Sequence, residues 1–155
     1  MSTFEPYYAT GARVITSGNG QLRVVLGGRD NYVIWEMSGG WRRSFSLTAA
    51  KPVTVTFDYR LDQTPHYESD EYSDALLSID GRIVGVNGGS FLSRIRGNGN
   101  GGAVISTGVK RISVNLGTLA AGTHTLTLGG FNLKKTSYDE STSVFFDNVK
   151  VTTAP

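Results

Sequence analysis

The sequence predicts an all-β domain: an antiparallel β-sandwich and, within that class, a jelly roll of about ten short strands. Three observations carry the expectation. Apolar and polar residues alternate with period two along much of the chain, while the 3.6-residue period of a helix is hard to find anywhere. Glycine accounts for 20 of 155 residues against 4 prolines, well above the usual ~7%, and many of the glycines sit between the alternating runs. The length and a hydrophobic fraction of 39% suit a single domain with one core, spanning residues 1–155 with the packed part at 3–152.

Each element has its own signal. The run at 22–26 follows Gly18-Asn19-Gly20 and ends at Gly27-Gly28. Runs at 32–36 and 41–47 flank Gly39-Gly40, which reads as a turn between two strands. The clearest strand is 53–61, where Val53, Val55, Phe57, Tyr59 and Leu61 share one face and Thr54, Thr56, Asp58 and Arg60 the other. Runs at 76–79 and 83–86 flank Asp80-Gly81, a two-residue hairpin whose turn positions both need positive φ. Asn87-Gly88-Gly89 leads into a run at 91–95. The glycine-asparagine stretch from Gly97 to Gly102 reads as a surface loop too poor in side chains to pack, and it lacks the Lys-Ser/Thr ending of a phosphate loop. Runs at 110–116 and 123–128, divided by Ala121-Gly122, and a last run at 143–151 complete the set.

Composition excludes several classes of function. No window approaches the ~18 apolar residues of a membrane span. The chain has no cysteine, which removes thiolate metal sites, cysteine nucleophiles and disulfides together. Residues Met1 to Glu5 show neither a basic region nor an apolar one, so the export signal of a secreted parent chain is expected outside this stretch. The net charge of +2 is unevenly laid out: seven of the thirteen acids fall between Asp58 and Asp80, and none between Gly81 and Tyr138. That basic stretch motivates weak, salt-sensitive binding to acidic polysaccharides. Nucleic acid is disfavoured, because the basic residues are thinly spread and no nucleic-acid motif is present.

Period two places Asp147 in the last strand on the face of Phe145, Val149 and Val151, taken as the apolar face. A carboxylate there needs a partner, and Ca²⁺ takes carboxylate oxygens. Glu5, near the other terminus, is the second metal candidate. Two polar loops stand out, at 63–74 and 132–142. One leaves the 53–61 strand and the other enters the last strand, so antiparallel pairing of those strands would bring the loops to one end. The expected ligand site there comprises Tyr67, Glu68, Asp70, Glu71, Tyr72, Lys134, Lys135, Tyr138, Asp139 and Glu140. Tyr32, Trp35 and Trp41 read as core-filling, and His124 as a packed or hydrogen-bonding residue. Catalytic templates fail: there is no His-Glu-x-x-His and no Gly-x-Ser-x-Gly.

Several blocks resemble a jelly-roll module repeated in large secreted bacterial proteins. They are Met37-Ser38-Gly39-Gly40-Trp41, Tyr67-Glu68-Ser69-Asp70-Glu71-Tyr72-Ser73, Ile79-Asp80-Gly81, the stretch 116–126, Lys134-Lys135-Thr136, Asp139-Glu140-Ser141-Thr142 and Phe146-Asp147-Asn148-Val149. Such modules are similar to the galactose-binding-like, calcium-binding sandwiches of carbohydrate-binding modules and bacterial adhesins. The resemblance implies calcium at Glu5 and Asp147, and places Glu68, Asp70, Glu71, Lys134, Lys135, Asp139 and Glu140 at recurrent loop positions. The resulting expectation is a non-catalytic, calcium-dependent carbohydrate-binding module of a larger secreted or cell-surface protein, its partner a polysaccharide or glycan, acidic ones included. The alternatives are an adhesive spacer domain with purely structural calcium, or a small polysaccharide lyase or hydrolase.

Overall fold

Alternation along the chain becomes alternation of burial. In β4 (Lys51–Gln63) every second side chain from Val53 to Gln63 is buried and each one between is half-exposed. The computed structural model describes residues 8–154 except Ser17 and Asn100. The other strands are β1 (Ala9–Thr16), β2 (Asn19–Gly27), β3 (Ile34–Leu47), β5 (Tyr72–Ile79), β6 (Arg82–Ile83), β7 (Ser93–Arg96), β8 (Ile105–Ser106), β9 (Lys110–Leu119), β10 (Gly122–Lys135) and β11 (Ser141–Thr153). No helix of the described residues is long and apolar enough to cross a membrane.

The strands form two antiparallel sheets. The first runs β1-β2-β11-β4, with β8 and β9 both on the far edge of β4; the second runs β3-β10-β5, with β6 and β7 on β5. The chain crosses between sheets at six of its ten connections, and β2-β11-β4-β9 faces β3-β10-β5-β7, the strand order of a jelly roll. Between them lies one large core built on Val53, Val55, Phe57, Leu61, Leu77, Ile79, Leu128, Val144 and Phe146. A smaller cluster of Val24, Leu26 and Met37 sits under β1 and β3.

Two expectations change. Gly39-Gly40 is no turn: β3 runs straight through it, because Gly39 and Gly40 pair across the ladder with Gly130 and Gly129. The glycine-asparagine loop does pack, through its backbone. Gly97 N, Gly99 N and Gly101 N donate to Glu71 O, Tyr67 O and Pro65 O at 2.9, 2.7 and 3.1 Å. A Cβ on Gly97 would lie 2.3 Å from Tyr67 O, so only glycine permits this approach. The basic residues of the acid-free stretch are divided between the sheets: Arg111 lies on β9 in the first, Arg94 and Arg96 on β7 in the second. The Asp80-Gly81 hairpin matches its signal, with φ of 51° and 80°.

Candidate functional site

Antiparallel pairing decides which loops meet. Strands β4 and β11 pair with Gln63 opposite Thr142, so the β4–β5 loop (64–71) and the β10–β11 loop (136–140) lie at the same end. The β2–β3 loop (28–33) joins them, since Gly27 pairs with Ser141 and Lys135 with Ile34. The two loops singled out from the sequence are bonded to each other: Lys134 Nζ donates to Asp70 Oδ2 at 2.9 Å and lies 3.4 Å from Glu71 Oε1. The hydrogen bond to Asp70 holds the Lys134 ammonium above its ordinary pKa and the Asp70 carboxyl below its own. His66 reaches Asp139 at 3.6 Å across the same two loops.

Of the three tyrosines expected to contact a ligand, two are covered and one is exposed. Tyr67 is fully buried, and burial pushes its phenol well above the usual range. Tyr72 lies under Arg94, whose guanidinium is 3.6 Å from the ring centroid. Tyr138 is exposed. Trp35 and Tyr32, expected in the core, are instead 59% and 69% exposed. Trp35 pairs with Lys134 across the β3–β10 ladder, and the ammonium stands 5.6 Å from the indole. Tyr32 and Tyr138 sit on loops joined by the bond from Tyr138 N to Asn31 Oδ1. Period-two reading could not find Trp35, because Glu36 at φ 57° interrupts the alternation of β3, so that Ile34 and not Trp35 packs with Met37. Trp41, six residues on, is half-buried as expected, its indole N–H bonded to Arg23 O.

Four of the expected ligand-contacting residues are buried and act on the site indirectly. Lys135 is 0% exposed, and its ammonium donates to Asp30 O and Tyr32 O at 2.7 Å each, with Asp30 Oδ1 at 3.4 Å. It thereby anchors the β2–β3 loop that carries Tyr32. Glu140 accepts from Thr136 N, Thr136 Oγ1 and Ser137 N, closing its own loop. Tyr67 OH joins Thr142, Ser73, Gln63 and Asn132 in a buried polar network beneath the loops. Glu71 accepts from Glu68 N at 2.9 Å, while its second oxygen is buried with no hydrogen bond.

Glu68, Glu71 and Glu140 place carboxylate oxygens within 4.8 Å of one another. Burial first, then sharing of hydrogen-bonded charge with Glu68 and repulsion from Glu140, pushes the Glu71 carboxyl up to about 7. Glu71 therefore binds its proton more tightly in the folded chain than at its ordinary 4.5. The stability this contributes is complete below that lower value and is lost as pH rises through the higher one. His124, held up in pKa by its bond to Asp80, acts in the same direction, so the contrast with a variant is the readout. Between about pH 5 and 7.5 the melting temperature of the wild type should fall more than that of Glu71→Gln. Parallel curves would contradict the assignment.

The metal pair expected from the termini is not supported by the same reasoning. Glu5 lies outside the described residues. Asp147 is on the outer face: Val144 and Phe146 point into the core, and a bulge between Asp147 and Lys150 resets the register beyond them. Its oxygens already accept from Asn19 Nδ2 at 2.5 Å and Asn148 N at 2.7 Å. No buried charge there calls for a cation. It lines instead a shallow groove of about 210 Å³ with Asp58, Arg60 and Phe145.

No family model matches the chain, and no curated protein does. Among solved structures, that of infectious bursal disease virus, Gx strain, is similar at a TM-score of 0.28 and 9% identity, covering 99% of this chain and 46% of that one. The VP2 subviral particle of the same virus gives 0.17 and 13%, covering 94% and 43%. The chain thus spans less than half of either, and at such scores neither likeness bears on its function.

Proposed function

We propose that the protein is a non-catalytic, calcium-dependent carbohydrate-binding module of a larger secreted bacterial protein, with its ligand site at the loop end. The observation that carries this is the exposed Trp35 beside the Lys134–Asp70 pair. A flat indole left in water is an apolar platform for the C–H face of a sugar ring. The adjoining ammonium and carboxylate supply the donor and acceptor that hydroxyl groups require. Tyr32 and Tyr138 extend the exposed aromatic surface along the same rim. The loops are held from below by buried Lys135, Glu140 and Tyr67, which suits a site that must not rearrange on binding.

The calcium component rests on Glu68, Glu71 and Glu140, which fit an oxygen-seeking cation. Three carboxylates converge, and the buried Oε1 of Glu71 has no hydrogen bond, its nearest cation being the Lys134 ammonium at 3.4 Å. A bound Ca²⁺ would neutralise this cluster and hold the β4–β5 loop against the β10–β11 loop. The same cluster supports the second reading, a spacer whose calcium is purely structural.

A glycan array probed in calcium and in chelator separates the two. Retention of a defined glycan in calcium is expected, with loss in chelator. Trp35→Ala should weaken that binding by about 2 kcal/mol, roughly thirtyfold, as for an aromatic anchor at the centre of a contact. A calcium-dependent melting temperature with no retained glycan would favour the spacer.

A further inference from the structure

A second concavity lies on the flank of the sandwich, away from the loop end. There the inner faces of β3 and β10 stand apart from β2 and β11, leaving about 470 Å³, within the range of small-molecule pockets. Its walls are apolar: Leu22, Trp41, Phe45, Leu126 and Val151. One residue breaks the pattern. The two-residue period puts Arg43 on the face of Trp41 and Phe45, opposite the buried Leu126 across the ladder, and its side chain lines the cleft while remaining exposed to solvent. Its guanidinium has no ion pair or hydrogen bond with any described residue. Arg42 adds a second positive charge at the mouth.

We propose that this cleft binds an amphipathic monoanion, a carboxylate on an aliphatic tail. The tail would cover Trp41, Phe45, Leu126 and Val151, while the carboxylate meets Arg43 as a planar two-pronged acceptor. Charge complementarity selects this class. Apolar walls offer nothing to the hydroxyl groups of a sugar, and the arginines disfavour a cationic amphiphile. The competing account is that Arg43 only guards β3, an edge strand of the second sheet, since an inward charge deters edge-to-edge pairing. The two accounts differ in what they predict for ligand.

The test is titration calorimetry of the whole chain with decanoate and decyltrimethylammonium, each below its micelle concentration, and with decanol below its solubility limit. Decanoate should bind one per chain, with decanol about tenfold weaker for want of one charge-assisted contact and the cation not at all. Arg43→Gln should reduce decanoate to the level of decanol. Trp41 fluorescence in a Trp35→Phe background, which leaves Trp41 as the only tryptophan of two, should shift on decanoate binding with the same affinity. Absence of decanoate binding to the wild type would overturn the proposal, as would equal affinity for decanol and decanoate. So would an Arg43→Gln variant that dimerises yet binds decanoate unchanged.

Discussion

Lys135→Met is expected to lower the stability of the protein by about 3–5 kcal/mol, the cost of removing one partner from a buried charged network. Methionine fills nearly the same volume, so the loss is polar and not a cavity. Two carbonyls, Asp30 O and Tyr32 O, would lose a donor at a part-buried position, and the Asp30 carboxylate its nearest ammonium. Tyr8 OH, which donates to Asp30 at 2.7 Å, would be left to hold that side chain alone. The urea midpoint should fall without a change of slope, because the surface exposed on unfolding is the same. Because Lys135 ties down the loop bearing Tyr32, glycan affinity should fall as well, even where the variant remains folded. A midpoint within experimental error of the wild type would show that the loop is held by other contacts.

Gly129→Ala should be the next most damaging change, at about 3 kcal/mol, the upper end for forcing an atom into a packed region. Its added Cβ would lie 2.4 Å from Gly39 O and 3.1 Å from Gly40 Cα. Both are backbone atoms of the neighbouring strand and cannot swing aside. The β3–β10 ladder, which joins thirteen residue pairs from Gly122↔Leu47 to Lys135↔Ile34, would have to part at its middle. Thr127→Ala, two residues earlier on the same strand and half-exposed, should stay within about 0.5 kcal/mol. Comparable melting temperatures for the two variants would mean that the ladder yields more easily than its geometry implies.

These two residues also show where sequence reasoning stopped. Strands were legible wherever one face met the core and the other met water, as in β4, because burial follows the same period as the side chains. The meeting of the two polar loops followed from that reading, since β4 and β11 each carry a plain alternation. Gly39-Gly40 was misread because a pair of glycines has the same local signature in a turn as in a strand. What distinguishes them is Gly129-Gly130 across the ladder, ninety residues away along the chain. Asp147 went to the wrong face for a related reason: period two holds only until a bulge, and Asn148 at φ 52° marks one. The burial of Lys135 left no trace in composition, because the groups that satisfy it are main-chain carbonyls. Residue type alone points Trp35 and Tyr32 to the core, whereas Glu36 at φ 57° turns Trp35 away from the face of Ile34 and Met37, and Tyr32 lies in the loop before β3.

The loop end, and no other surface, is expected to take the glycan. The most direct test is to titrate the strongest ligand from the array into isotope-labelled protein and follow the backbone amide resonances. Calcium-dependent shifts are expected at Tyr32, Trp35, Asp70, Lys134 and Tyr138, with Asp58, Phe145 and Asp147 unmoved. Shifts confined to the groove of Asp58, Phe145 and Asp147, or no glycan retained at all, would contradict it.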